Sequence, residues 1–316
     1  MTSPDTERLL SVYTRFLPLA VSAYMQKQAG LRKRRGIYGV AVVFWMMIVQ
    51  RVKANASLAS CVEELAQGKM DALLADCKRV RERRISPRTG ALCRARQQLP
   101  GGLVREVGRE MFAQIEEQLR EELPAVKAPV LLLDGSSVQL EHCRALLERY
   151  PAGENRHGAT HWPVIRMVVM HDLGTGLAHH PCWGPMYGAG AVSEQGLVGQ
   201  SLAQVREGTV VMGDRNFGVF SVAWAAAERH LPVLLRLTES RAKRLLGRAI
   251  SEPGAYAATW QPSAVERRNP HNPRWPAEAS VSGTLVAWRV GRGKSKQWLY
   301  LFTTVSGARS EALVEL

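Results

Sequence analysis

Val130-Leu131-Leu132-Leu133-Asp134-Gly135-Ser136-Ser137 is the stretch where the helical pattern of the chain gives way to a strand. Four consecutive apolar residues followed by turn-forming residues predict a buried strand that runs into a turn. The stretch Thr209-Val210-Val211-Met212-Gly213-Asp214 has the same form. Each of the two predicted strands therefore ends on a carboxylate, Asp134 or Asp214. If the two strands are neighbours in one sheet, both carboxylates come to the same point.

Two carboxylates at one point are the oxygen ligands that Mg²⁺ or Mn²⁺ prefers. A pair of such ions can clamp the attacking and leaving oxygens of an in-line phosphoryl transfer. Each aspartate also has an ordinary explanation, because Asp before Gly is a common turn former. Asp214 could likewise form a surface ion pair with Arg215. The two aspartates together, in a strongly basic chain, favour the catalytic interpretation.

Around these strands the sequence predicts a mixed α/β sheet preceded by helices. Helical spacing and caps predict helices at 38–52, at 58–66 with Ser57 as N-cap, from Ser86-Pro87 to Pro100, and at 102–122. Further strands are expected at 164–171, 177–182, 233–237, 280–290 and 298–305, with helices at 193–205 and 220–229. The chain then divides into a helical region 1–125, an α/β core 126–238, a basic proline-rich insertion with β segments 239–296, and a returning strand 297–316 that begins a final helix at Ser310.

The net charge of +14 and the pI near 10.0 indicate a polyanionic partner. The charge is uneven: residues 1–100 carry +11, 101–238 carry −3, 239–296 carry +7 and 297–316 carry −1. A slightly acidic middle between basic flanks fits a carboxylate site surrounded by groups that hold phosphates. Arg-rich composition from GC-rich coding, with solvated basic faces, is the alternative explanation.

Several classes of protein are disfavoured by the sequence. The longest apolar run, 36–49, is too short to predict a membrane span. The start MTSPDTERLL does not resemble a secretory signal. Five scattered cysteines without a CxxC pair argue against a disulfide framework or a structural zinc site. We therefore expect a cytoplasmic protein.

Four segments together resemble the DDE transposases of the insertion-sequence-four group. They are 134–138, 183–187, 192–195 and, above all, Val211-Met212-Gly213-Asp214-Arg215-Asn216-Phe217-Gly218. The resemblance covers nearly the whole chain and implies an RNase H-like catalytic core. It places Asp134 on the first strand, Asp214 on the fourth, and a β-rich insertion between the fifth strand and the helix that bears a third acid.

The resemblance implies DNA transposition. Such an enzyme binds terminal inverted repeats, nicks DNA with a metal-activated water and joins the 3′-hydroxyl to target DNA, with two Mg²⁺ (or Mn²⁺) ions held by residues including Asp134 and Asp214. A homodimer is implied, since two ends must be brought together, and the helical region 1–125 would serve DNA binding and dimerisation. The residues we expect near DNA are Arg215, Arg34, Arg83, Lys243, Arg244 and Trp298. The alternative for Trp298 is an ordinary core position in its strand.

One departure from the group concerns the third acid. Its signature, Tyr-x2-Arg-x3-Glu-x6-Lys, has no match in residues 301–316, where the final helix is expected to begin. We therefore expect a truncated or frame-shifted product that binds DNA without efficient cleavage. Two further alternatives are a DNA-binding remnant that occupies ends and a metal-dependent nuclease of the same fold.

Other polar residues have weaker signals. His157 and His161 have a spacing that could hold zinc, but no cysteine lies nearby. Glu194 is expected to cap a helix, with assistance at the metal site as the alternative. Asp172 is expected to serve only its Gly-rich turn, and His179 is expected to be structural or close to a substrate phosphate.

Overall fold

A computed structural model describes residues 12, 13, 15–17, 36–53, 56–74, 77–123, 129–156, 158–270, 272–291 and 297–306. The chain divides into two compact units, Met1–Glu122 and Leu123–Leu316. Each unit has a hydrophobic core of its own. Three features of the sequence, Arg34, His157 and the helix expected to begin at Ser310, lie outside the described residues.

The described part of the first unit contains helices and a short 3-10 turn at Asp71–Leu73. The α-helices are α1 (Val40–Val52), α2 (Leu58–Ala66), α3 (Lys78–Arg81), α4 (Gly90–Gln97) and α5 (Gly101–Glu122). The N-cap predicted before α2 is confirmed, because the Ser57 side chain accepts a hydrogen bond from the Ser60 backbone N–H at 3.0 Å. No helix in the described ranges is both long and apolar enough to cross a membrane.

The start predicted for α4 is wrong by about one helical turn. The helix begins at Gly90, after Thr89, and not at Ser86-Pro87. The Ser86 hydroxyl instead accepts a hydrogen bond from the Arg88 backbone N–H at 3.3 Å. Serine side chains offer such local turns as an alternative to helix, and the same oxygen that can cap a helix can close a turn before it.

The second unit is a mixed α/β fold built on one sheet, as predicted. Its nine described strands are β1 (Val130–Gln139), β2 (Ala152–Asn155), β3 (Gly158–Asp172), β4 (Ala178–Pro185), β5 (Val210–Gly213), β6 (Val233–Leu237), β7 (Gly254–Trp260), β8 (Val281–Val290) and β9 (Gln297–Thr303). The order across the sheet is β2-β3-β1-β5-β6-β9-β8-β7, and β4 also pairs with β3. The described helices of this unit are α6 (Arg144–Arg149), α7 (Glu194–Leu202), α8 (Phe220–Ala227), α9 (Glu239–Leu246) and α10 (Ala264–Arg268).

Strand β1 does not end in a turn after its apolar half, so that part of the prediction is wrong. Residues 130–133 pair in parallel with β5, while residues 131–139 pair antiparallel with β3. The Asp-Gly-Ser-Ser sequence therefore lies inside an extended strand. This half of β1 pairs with β3 but no longer with β5. Its polar residues are tolerated there because that half of β1 is mostly exposed.

The basic insertion extends the same sheet. Strand β8 lies within one residue of its predicted start, whereas β7 had no clear signal in the sequence. The two strands pair with each other, and β8 pairs with the returning strand β9, which pairs with β6. Trp260 of β7 meets Phe302 of β9 edge to face, with ring centroids 5.0 Å apart. Aromatic packing therefore ties the insertion to the core of the unit.

A glycine allows the segment after β5 to approach β6 closely. A Cβ at Gly218 would lie 2.1 Å from the backbone carbonyl oxygen of Arg236, a distance at which atoms overlap. Phe217 and Phe220 on either side of it are fully buried in the core. Gly218 therefore fixes how the chain leaves β5 and enters α8.

Substituting Gly218→Ala should lower the free energy of unfolding by about 1–3 kcal/mol, because a backbone carbonyl cannot move aside cheaply. Gly199→Ala is the matched control, since an added Cβ in α7 meets nothing within 4 Å. That control should raise stability by about 0.5–1 kcal/mol through helix propensity. Urea unfolding of both variants measures the difference, and equal stabilities would contradict the close approach.

Candidate functional site

The two predicted aspartates follow adjacent strands at equivalent positions. Leu133 of β1 lies opposite Gly213 of β5 in the last pair of the parallel ladder. Asp134 and Asp214 are the next residue on each chain, and neighbouring strands lie about 4.8 Å apart. The two aspartates are therefore neighbours at one end of the parallel ladder. This arrangement is the one that the sequence predicts if their strands are adjacent in the sheet.

Asp134 points away from the main core of the unit. Successive strand residues alternate between faces, and Leu131 and Leu133 are buried in that core. Asp134 therefore lies on the other face, where its side chain is exposed. It makes no salt bridge or side-chain hydrogen bond with any residue that the structure describes. Its oxygens are available to a cation or to solvent.

Asp214 begins a tight turn that leads from β5 to α8. Its Oδ1 accepts a hydrogen bond from the Asn216 backbone N–H at 2.8 Å. Its backbone carbonyl accepts from the N–H groups of Phe217 and Gly218 at 3.1 and 3.0 Å. The turn holds one carboxylate oxygen of Asp214 and leaves the residue exposed.

A third carboxylate, that of Glu194, lies against the backbone of β1. A Cβ at Gly135 would be 2.3 Å from Glu194 Cδ, so the side chain occupies the space that only a glycine leaves open. The helix cap itself is Ser193, whose side chain accepts from the Gly196 backbone N–H at 2.9 Å. Glu194 occupies the first turn of α7, where a negative charge is favoured by the helix dipole.

Two amide side chains join the start of α7 to the Asp214 turn. Asn216 Nδ2 donates a short hydrogen bond to Glu194 Oε2. Gln195 Nε2 donates to the Asn216 backbone oxygen at 2.9 Å and to its Oδ1 at 2.6 Å. Asn216 therefore contacts Glu194 through its side chain and Asp214 through its backbone N–H.

The three carboxylates do not already form a closed coordination sphere. Within the described chain, Asp134, Glu194 and Asp214 are not a group whose oxygens all lie within 4.8 Å of one another. An ion held by all three carboxylates would therefore require at least one of these side chains to rotate toward it. What the arrangement provides is a set of hard oxygen donors at the ends of one parallel ladder.

Arg215 lies directly beside this site. Its side chain is exposed, and its backbone carbonyl accepts a hydrogen bond from Arg241 Nη1 of α9 at 2.7 Å. This bond connects the Asp214 turn to the first helix of the basic insertion. The ion pair with Arg215, which is the ordinary alternative for Asp214, is not among the ion pairs of the described residues.

The other residues predicted to contact DNA differ in how they are held. Arg83 forms a forked pair with Asp71, with nitrogen to oxygen distances of 3.1 and 2.8 Å. Lys243 pairs with Glu239 at 2.6 Å, and this hydrogen bond raises the pKa of the Lys243 ammonium. The Arg244 side chain makes no hydrogen bond or ion pair with a described residue.

Trp298 is a half-buried member of β9. Its ring stacks on Tyr300 with centroids 5.9 Å apart and planes 11° from parallel. The guanidinium of Arg289 lies over the Trp298 ring, 4.7 Å from its centroid. The indole therefore packs within the sheet, which agrees with the ordinary explanation of this tryptophan.

A buried carboxylate and a buried imidazole lie next to each other at the other end of β1. Asp172 and His179 are only 2% and 4% exposed, and Asp172 Oδ2 is 3.8 Å from His179 Nε2. Asp172 Oδ1 also accepts from the backbone N–H groups of Gly174 and Thr175 at 2.8 and 3.3 Å. The turn role predicted for Asp172 is present, and the pairing with His179 is an addition that the sequence did not indicate.

Sequence reasoning did not find the roles of Gln195 and Asn216. Nothing in an amide side chain reveals its partner, and 21 positions separate the two residues. His161 is a similar case, because its ring stacks on that of His142 at 3.9 Å, a contact that the His157 spacing could not predict. Such contacts are set by tertiary packing, which brings residues together that are distant in the chain.

Comparisons with protein-family models and with curated proteins return no match to this chain.

A double-mutant cycle should detect the link between α7 and the Asp214 turn. Gln195→Ala and Asn216→Ala should each cost about 0.5–1.5 kcal/mol of unfolding free energy. The double variant should cost less than the sum by at least about 0.5 kcal/mol, since both remove the same contact. Pairing Asn216→Ala with Glu207→Gln, at the opposite end of β5, should give additive losses by urea unfolding.

Proposed function

We propose that this chain acts on DNA as a transposase of the DDE type, similar to the insertion-sequence-four group and with an RNase H-like core. One observation carries the proposal: the parallel pairing of β1 with β5 sets Asp134 and Asp214 side by side. Adjacent carboxylates at the ends of a parallel ladder suit metal-dependent phosphoryl transfer.

The order of elements along the chain supports the same proposal. If the short strand β2 is set aside, Asp214 follows the fourth strand of the sheet, as the resemblance implies for the second acid. The segment 239–296 then lies between the fifth of these strands, β6, and the returning strand β9. An inserted β-rich segment is expected at this position in the group.

The donor set fits Mg²⁺ or Mn²⁺. Asp134 and Asp214 offer exposed carboxylate oxygens, and neither is neutralised by a salt bridge among the described residues. Hard cations of this type take oxygen ligands and commonly keep several waters. When bound, such ions lower the pKa of a coordinated water and stabilise charge on the transferring phosphoryl group. Two ions are the expected number, held by Asp134 and Asp214 together with further oxygen donors.

DNA is the partner that the charge distribution favours. Both the N-terminal hundred residues and the insertion are strongly basic, at +11 and +7. Arg215 and Arg244 have exposed side chains, and Arg244 lacks a partner among the described residues. Contacts of this kind with backbone phosphates give affinity that depends steeply on salt. We propose a homodimer on terminal inverted repeats, in the cytoplasm and associated with the nucleoid.

A chain that binds DNA without cutting it is the second candidate. The observation that favours it is that, among the described residues, no third carboxylate forms a group with Asp134 and Asp214 whose oxygens all lie within 4.8 Å of one another. Two aspartates without a third acidic ligand would hold a second ion weakly. Cleavage assays separate the two candidates.

Titration with Mn²⁺, followed by the loss of the free-ion electron paramagnetic resonance signal, tests the metal site. Asp134→Asn and Asp214→Asn should each weaken Mn²⁺ binding at least about tenfold, since each removes a charged oxygen ligand. Glu207→Gln is the control, because it removes an acidic group that precedes the first residue of β5, whereas Asp214 follows the last. Equal affinities in all four proteins would rule out these two aspartates as ligands.

Binding of a labelled DNA duplex, measured by fluorescence anisotropy at several salt concentrations, tests the partner. We expect log K to fall linearly with log salt concentration, as counterion release requires. Incubation with Mg²⁺ and a duplex that carries the insertion-sequence end then tests for nicks. Nicks that Asp134→Asn and Asp214→Asn abolish would establish the enzyme, and binding without nicks would favour the second candidate. A chain that binds no duplex at low salt would contradict both.

A further inference from the structure

A cavity of about 210 Å³ lies in the second unit between α9 and the end of β7. Two arginines, Arg241 and Arg244, contribute to its wall from α9, and buried Trp260 lines it from β7. The remaining lining residues are Leu245, Thr259, Gln261, Ser263 and Glu266. The cavity thus combines two guanidinium groups with one carboxylate and with neutral polar and apolar side chains.

The single carboxylate in this lining already has partners. Glu266 Oε2 accepts hydrogen bonds from the backbone N–H and the hydroxyl of Ser263 at 2.8 and 2.7 Å. The first of these bonds and the bond from the Glu266 backbone N–H to the Ser263 hydroxyl oxygen, 3.2 Å long, form the capping box of α10. Glu266 makes no ion pair with either arginine. The two guanidinium charges therefore exceed the acidic charge of the cavity and are not paired with it.

The two arginines differ in what already holds them. Arg241 Nη1 donates to the backbone carbonyl of Arg215 at 2.7 Å, and Arg215 directly follows Asp214. The Arg244 side chain has no hydrogen bond or ion pair with any residue in the described ranges. The cavity therefore has one arginine fixed to the candidate active site and one whose five N–H donors are available.

Charge and size together select the ligand. A guanidinium matches the oxygens of a phosphate in a forked geometry and with charge-assisted hydrogen bonds. Pockets for drug-sized ligands usually measure about 300–1,000 Å³. A cavity of about 210 Å³ is smaller than that range, so it suits a single phosphate group with its waters.

We propose that the α9/β7 cavity binds a phosphate group through Arg244 and Arg241. In the context of the proposed function, on which this assignment rests, the phosphate belongs to the backbone of the DNA strand presented to Asp134 and Asp214. Because Arg241 also holds the Arg215 carbonyl, a phosphate bound in the cavity is positioned relative to the Asp214 turn. The cavity sets the register of the strand, and the aspartates do not contact this phosphate.

The test compares Arg244→Gln with Arg248→Gln. Arg248 follows α9, and its guanidinium lies over the Tyr256 ring at 5.5 Å and outside the cavity lining. Duplex binding is measured by fluorescence anisotropy across a range of salt concentrations. Arg244→Gln should make the slope of log K against log salt shallower by about 0.9, the value for one lost phosphate contact. Arg248→Gln should keep the wild-type slope, and urea unfolding checks that both variants are folded.

Calorimetric titration with pyrophosphate and with inorganic phosphate provides the second measurement. The wild type and Arg248→Gln should bind these anions with equal affinity, and Arg244→Gln should bind them at least about tenfold more weakly. If both variants bind duplex with the same slope of log K against log salt concentration, the proposal that the cavity binds a phosphate is wrong. The proposed function would not be affected by that result. Phosphate binding that depends on Arg244, in a wild type that binds no duplex, would support the cavity and refute the DNA function. Phosphate binding that is equal in all three proteins would overturn the cavity assignment.

Discussion

The short parallel ladder between β1 and β5 is the constraint on which the candidate site depends. It contains four residue pairs and ends where Leu133 lies opposite Gly213. A Cβ at Gly213 would lie 2.8 Å from the Cβ of Phe217. The turn after β5 can therefore pack this closely against the end of the strand only because residue 213 is a glycine. Beyond the ladder, β1 continues beside β3 while the other chain turns away. This divergence leaves polar residues exposed at the edge of a buried core.

The same divergence explains why polar groups gather there. Asp134 continues an apolar strand into solvent, Asp214 opens the turn, and the first residues of α7 fill the space above Gly135. A helix start beside two strand ends brings N–H groups and acidic side chains together. Asn216 links the elements, because its backbone N–H and its side chain point to different carboxylates.

Some of the described basic side chains of this protein form ion pairs with acidic neighbours, and others do not. Arg83 and Lys243 are held by acidic neighbours, Asp71 and Glu239, whereas Arg244 is not held by any described residue. Exposed ion pairs contribute only about 0–1 kcal/mol, so a polyanion could compete for either of the paired residues. Net charge thus attracts a polyanion to the chain as a whole, and local pairing determines which side chains meet it first.

The sequence by itself determined the mixed α/β class, the Ser57 cap, most strand positions and the two aspartates at equivalent strand positions, because runs of apolar residues and capping side chains are local signals. It could not determine that β1 continues past Asp134, since that depends on pairing with β3. Likewise, only the tertiary structure placed Glu194 over Gly135, joined Asn216 to α7 and tied the basic insertion to the sheet. These contacts join residues that are far apart in the chain. They follow from strand register and close packing, which no local pattern encodes.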